Sequence, residues 1–308
     1  MNQGDMTPAT RYQVRLRNPH AFTPSRDRKI VFHGVNKSGS SAMAKVLGAA
    51  YDETGRSAEF HSHYRGAAKS EDEFRRMIER TPGPGFFVGH YLYGAFYIPR
   101  ASHMLITQFR HPLPRTVSVY QWLKRKADAD GREFLALEDW VRKGGGRSHS
   151  QIGQFAMPFI PERGRILAAM GTTQMLDMAR ENIERDVACI GIAEYFEESI
   201  FLFAHLCGLE QVQGWKRDER NKNRQLVWDL PPSTRELIRE LMSADFELYE
   251  WAVERFFAQL RRASIAGDIE RYKRDCELQY KDRLIERDPP RAAGWMTRAK
   301  QAFGVFPR

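Results

Sequence analysis

The chain has 308 residues, 42% of them hydrophobic and 28% charged, and its 48 Lys+Arg against 39 Asp+Glu leave a formal net charge of +9. It is too apolar for intrinsic disorder, and 23 Gly, 15 Pro and 3 Cys exclude collagen-like and disulfide-scaffold chains. Cys189, Cys207 and Cys276 show no Cys-x-x-Cys spacing, so neither a zinc ribbon nor a disulfide framework is expected and a reducing compartment is the easier reading.

No stretch approaches the roughly 18 to 20 apolar residues of a membrane span; the longest candidate, 200–209, is interrupted by His205. The segment 1–20 has no apolar core of the signal-peptide kind. A soluble, cytoplasmic, basic globular protein is expected, with a general preference for anionic ligands.

Residues 1–28 are polar, Pro-containing and aperiodic, which predicts a flexible arm. The apolar run 30–33 predicts a strand ending at Gly34, followed by a helix over 41–51. A weaker strand is expected at 59–61. Ser70 and the acidic residues after it open a helix over 70–80. Strands follow at 85–88 and 104–109, and Pro112 opens a helix to Lys126. The stretch 127–172 is basic and Gly-rich, with short helices. A helix at 173–185, a strand at 187–192 and a helix at 195–207 come next. The polar link 217–225 precedes helices at 233–241 and 243–262.

Strands alternating with helices predict an α/β fold, a P-loop-like doubly wound parallel sheet flanked by helices, with a helical C-terminal extension. The expected division is the arm 1–28, one domain over 29–262 and a charged tail over 263–308. The tail breaks at Pro289-Pro290 and ends in GWMTRAKQAFGVF. That basic amphipathic piece is expected to pack back on the domain, stay disordered, or touch a membrane surface or partner.

Two stretches carry chemistry. In Val31-Phe-His-Gly-Val-Asn-Lys-Ser-Gly-Ser-Ser-Ala-Met43 a strand runs into a small-residue loop and then a helix. Such a loop aims successive N–H groups at one spot, where the helix N-terminus adds partial positive charge. An ordinary strand-turn-helix with a serine cap fits the same residues. The lysine is Lys37, ahead of Gly39, whereas a nucleoside-triphosphate loop places it after the second glycine. In Leu105-Ile-Thr-Gln-Phe-Arg-His-Pro-Leu-Pro-Arg-Thr-Val-Ser-Val-Tyr120 an arginine, Arg110, stands at a strand's carboxyl end before a Pro-initiated helix. Ser118 lies about two helical turns further on, on the same side.

Together these stretches resemble the sulfotransferases that use 3′-phosphoadenosine-5′-phosphosulfate (PAPS), above all the carbohydrate enzymes of the heparan sulfate 2-O-sulfotransferase kind. The family's 5′-phosphosulfate loop, Pro-Lys-Thr/Ser-x-Ser/Thr, is matched by Asn36-Lys37-Ser38-Gly39-Ser40-Ser41. Its 3′-phosphate pattern, Arg-Asp-Pro…Ser-x-Tyr, is matched by Arg110-His111-Pro112…Ser118-Val119-Tyr120. Gly89-His90-Tyr91-Leu92-Tyr93 is similar to its Gly-His-x-x-Tyr. Ile190-Gly-Ile-Ala-Glu194…Ser199 and Asp245…Leu248-Tyr249 resemble two later segments. The likeness runs in order over 29–260, with Asn36 in place of Pro and His111 in place of Asp.

The resemblance implies in-line sulfuryl transfer from PAPS to a hydroxyl of a saccharide or glycoconjugate, with adenosine 3′,5′-bisphosphate as product. It implies His90 as general base and Lys37 as the cation facing the departing oxygen. Lys37, Ser38, Gly39, Ser40, Ser41, Ala42, Arg110 and Ser118 would hold the nucleotide, and Lys222 and Arg224 would close over its 3′ side. No metal is required, because lysine and N–H groups take its place. His61 and His63 share a strand face but lack further ligands at metal spacing; with Arg65 and Trp122 they are expected to face the acceptor instead. A nucleotide-dependent kinase-like enzyme and a non-catalytic polyanion-binding protein remain the alternatives. No nucleic-acid module is found.

Overall fold

The computed structural model of the chain describes residues 11–18, 28–62, 71–90, 103–157, 162–214 and 227–275. Within the stretch expected as a flexible arm, Arg11–Leu16 forms a strand, β1. Tyr12, Val14 and Leu16 are buried while Arg11 and Arg15 face out, the period-2 alternation of a half-buried strand.

The central strand β2 (Lys29–His33) is apolar and buried because both its faces are covered. It leads through a loop into α1 (Ser40–Glu53), whose Met43, Val46, Leu47, Ala50 and Tyr51 form one buried stripe. Gly55, at φ +70°, ends α1: its N–H and that of Arg56 bond back to Asp52 and Tyr51 carbonyls at 3.1 and 2.9 Å, a Schellman stop. Then come β3 (Phe60–Ser62), α2 (Glu71–Arg80), β4 (Gly85–Gly89) and β5 (His103–Phe109). The helix α3 (Pro112–Ala129) follows, capped by the His111 side chain accepting from the Leu113 N–H at 3.3 Å.

Short helices α4 (Leu137–Arg142), α5 (Gly145–Ser148), α6 (Gln151–Phe155) and α7 (Arg163–Ala169) fill the Gly-rich middle, before α8 (Thr172–Asp186) and β6 (Val187–Ile192). The chain continues through α9 (Phe196–Leu206), β7 (Gln211–Gln213), α10 (Pro232–Leu241), α11 (Ser243–Ala263), β8 (Ile265–Gly267) and α12 (Ile269–Asp275). The strands β7 and β8, too short to show a periodicity of their own, had no counterpart in the sequence reading. Both pair antiparallel with β1, giving a 3-stranded sheet β7-β1-β8.

The main sheet is 5-stranded and wholly parallel, in the order β3-β4-β2-β5-β6. This is the α/β doubly wound architecture with helices on the sheet. The chain steps outward from β2 to β3, returns to β4, then crosses to β5, so the strand order reverses around β2. Ligands of such sheets sit at that reversal, outside the carboxyl ends of the strands. One apolar cluster fills the space between the sheet and α1, α8, α9 and α11, and a smaller one joins α3, α4 and α10. Among the described residues no helix is long and apolar enough to cross a membrane.

Candidate functional site

The loop after β2 occupies the reversal point. Lys37 has φ +66° and Gly39 φ +87°. A left-handed lysine costs about 1–2 kcal/mol and persists only where its surroundings dictate it. Here they do. Three successive carbonyls accept from side chains of β5, α3 and the link between them: Asn36 O from Arg115 Nε at 2.9 Å, Lys37 O from Arg110 Nη1 at 3.1 Å and Ser38 O from Gln108 Nε2 at 2.7 Å.

With its carbonyls drawn inward, the loop turns N–H groups the other way. The Gly39 carbonyl takes the N–H groups of Ala42 and Met43, but among the described residues no acceptor meets those of Gly39, Ser40 and Ser41. Alternation of left- and right-handed residues ahead of a helix N-terminus is the geometry of a backbone anion nest. Gly39 and Ser41 are exposed, Lys37 and Ala42 half-buried and Ser40 buried. The Ser38 hydroxyl donates to Val35 O at 2.7 Å, so it braces the loop from inside.

Arg110 is half-buried beside this loop. The Gln151 side chain clasps its main chain, accepting the N–H at 3.1 Å and donating to the carbonyl at 2.9 Å. The next residue, His111, is buried and held neutral, its pKa pushed down to about 3 by burial and then by the charges of Arg239 and Arg110. A neutral Nδ1 can accept the α3 cap bond as an aspartate would, which accounts for histidine at a position where the resembled pattern has Asp. The His111 N–H goes to Glu194 Oε1 at 3.1 Å, and Tyr249 Oη donates to Glu194 Oε2 at 3.0 Å. Burial raises the Glu194 pKa against the opposing pull of Arg110 and these donors.

His90 follows β4, whose Gly89 carbonyl accepts the Gly34 N–H at 2.8 Å and so brings the two loops together. His90 Nδ1 lies 2.6 Å from the Gly34 carbonyl. A carbonyl can only accept, so Nδ1 carries the proton and Nε2 the lone pair. His90 is exposed at the surface, yet desolvation, then the charge of Lys37, hold its pKa below the ordinary histidine value against the raising effect of the Gly34 bond. At neutral pH the ring is a neutral base.

The structure thus brings together Lys37, Ser38, Gly39, Ser40, Ser41, Ala42, His90 and Arg110. Ser118 is half-buried on α3, and Trp122, 44% exposed, lies one turn beyond it on the same helix. His61 is half-buried in the middle of β3, stacked on Phe87 with ring centroids 4.6 Å apart. His63, Arg65, Lys222 and Arg224 lie outside the described residues, as do Tyr91 to Tyr93 and the tail beyond 275. Gln108, Arg115 and Gln151, which shape the loop, carried no role in the sequence reading; their signal is only a buried polar residue in an otherwise apolar stretch.

Among the solved structures similar to this chain are two sulfotransferases. One is a sulfotransferase from Alicyclobacillus acidocaldarius, with TM-score 0.44 and 14% identity, covering 74% of this chain and 96% of that one. The other is mouse sulfotransferase SULT7A1 complexed with PAP, with TM-score 0.36 and 12% identity, covering 82% of this chain and 90% of that one. No protein-family model and no curated protein matches the chain.

Proposed function

We propose that this protein moves the sulfuryl group of PAPS to a hydroxyl group of a saccharide or glycoconjugate. The observation that carries the reading is the loop whose three successive carbonyls are held by Arg115, Arg110 and Gln108 while the N–H groups of Gly39, Ser40 and Ser41 meet no acceptor among the described residues, with a neutral, tautomer-fixed His90 anchored to the same loop. The donor set fits a phosphosulfate: backbone N–H groups, a lysine and an arginine, with Gly39 at a φ that a side chain would strain. The order of motifs over 29–260 supports the same nucleotide, and the saccharide acceptor rests on that sequence resemblance.

Bound PAPS would supply the transferable sulfuryl group. The chain's own residues do the rest. The N–H groups of Gly39, Ser40 and Ser41 hold oxyanions without reorganising. Lys37 sets a compact positive charge at the loop mouth, where a departing oxygen gains charge. His90 Nε2 takes the proton of the acceptor hydroxyl, while Nδ1 stays bonded to Gly34 O. Arg110 and, further along α3, Ser118 receive the 3′-phosphate.

Thermal unfolding with adenosine 3′,5′-bisphosphate, with ADP and Mg-ATP as controls, tests the nucleotide. Ligand at 100 times its dissociation constant should add about 2.7 kcal/mol, a rise of several degrees. A rise confined to the 3′,5′-bisphosphate is expected. A rise with Mg-ATP alone would favour a kinase-like enzyme, and no rise with any nucleotide would leave a non-catalytic anion binder.

A further inference from the structure

Arg115 is the largest fully buried side chain among the described residues, 1% exposed, and its guanidinium divides among three segments. Nε donates to Asn36 O at 2.9 Å, Nη2 donates to His149 O at 2.7 Å, and Nη1 stands 3.9 Å from Asp245 Oδ2. Asp245, equally buried, gives its short bonds elsewhere: the N–H groups of Gln151 and Ile152 reach its two oxygens at 2.8 and 2.9 Å. An ion pair built for its own attraction would show a close, two-point contact. Here the short bonds of the arginine go to carbonyls, and the aspartate balances its charge from further away.

We infer that Arg115 is a positioning residue that holds the Asn36–Gly39 loop in its anion-accepting form, with Asp245 as the counter-charge that lets a guanidinium stay buried there. The inference rests on reading that loop as the nucleotide cradle. Releasing the Asn36 carbonyl removes one of the three anchors that turn the following N–H groups outward. The His149–Ile152 turn ties the device together: His149 O receives Arg115, Gln151 clasps Arg110, and Asp245 receives the turn's own N–H groups. Both arginines that grip the loop are therefore set by one turn and by one carboxylate from α11.

The test is Arg115→Lys in the full chain, which keeps the charge and loses the fork. Tyr12→Phe, on the far sheet, serves as a structural control. Backbone hydrogen exchange without ligand, affinity for adenosine 3′,5′-bisphosphate and thermal unfolding are measured on each. Losing a charged donor to the Asn36 carbonyl is expected to speed exchange of the hydrogen-bonded N–H groups of Ser38, Ala42 and Met43 by about tenfold and to weaken the nucleotide by about tenfold, while β4 and β6 keep their protection. Unchanged exchange at Ser38, Ala42 and Met43, or a loss spread evenly over the sheet as in a merely destabilised protein, overturns the inference. Failure of the wild-type protein to bind the nucleotide overturns the proposed function instead, and the exchange measurement still decides the role of Arg115. If the lysine variant does not fold, Arg115→Gln combined with Asp245→Asn removes both charges together and gives the same comparison.

Discussion

Lys37 combines a charge at the mouth of the site with a backbone conformation that suits glycine, at φ +66°. The two properties separate by substitution. Lys37→Gly is expected to be more stable than Lys37→Ala by about 1 kcal/mol, because alanine keeps the left-handed strain. Both should lose turnover, since both lack the charge; urea unfolding beside a sulfuryl-transfer assay checks the pair. His90 adds a pH dependence. Its pKa lies below the ordinary histidine value, chiefly through desolvation and in part through Lys37. The basic form is therefore present at neutral pH, and the rate should fall only as pH drops through a midpoint under about 6.5. Lys37→Ala removes one lowering influence, so the midpoint of its residual rate should move up. His90→Ala should lower kcat by roughly 10²- to 10⁴-fold with nucleotide affinity retained, and an unaltered kcat would remove His90 as the base.

At the scale of elements, the sheet depends on close approach. A Cβ on Gly191 in β6 would stand 2.7 Å from Phe203 Cζ and 3.2 Å from Ser199 Cβ, both on α9. Phe203 is fully buried and cannot swing away. Gly191→Ala should destabilise by about 1–3 kcal/mol in denaturant unfolding. The elements themselves were largely legible. The apolar runs at β2, β4, β5 and β6 and the helical stripes between them fix the parallel sheet, and the small-residue loop and Arg110 mark the place where we propose that anions bind. The braces were not legible. Arg115 reads as one more charge on an amphipathic helix, and the residues completing its setting, Asn36, His149 and Asp245, are far apart in the chain. Only the fold brings together residues 79, 34 and 94 positions apart in the bonds Arg115–Asn36, Arg115–His149 and Gln151–Asp245. The strand β1 was missed for a related reason: its pairing partners, β7 and β8, lie far along the chain, and its alternate arginines lower the apparent hydrophobicity.

Across the whole molecule, β1 joins early and late segments. Tyr12, 2% exposed, packs edge-on against Tyr272 at 4.9 Å, and its hydroxyl donates to Asp275 at 3.2 Å. Tyr12→Ala should lose about 3 kcal/mol and several degrees of thermal stability, with the loss of exchange protection centred on β1, β8 and α12. A variant that loosens the loop at Lys37 instead would overturn this separation of the two sheets. The same strand also dictates an order of events during synthesis. The Gln13 N–H is held by Asp268, a bond spanning 255 residues, and at about 5–20 residues per second that interval takes on the order of tens of seconds to translate. Until β7 and then β8 have followed, the apolar face of Tyr12, Val14 and Leu16 has no complete sheet to join, so β1 is among the last of the described strands to dock although it precedes the others in the chain.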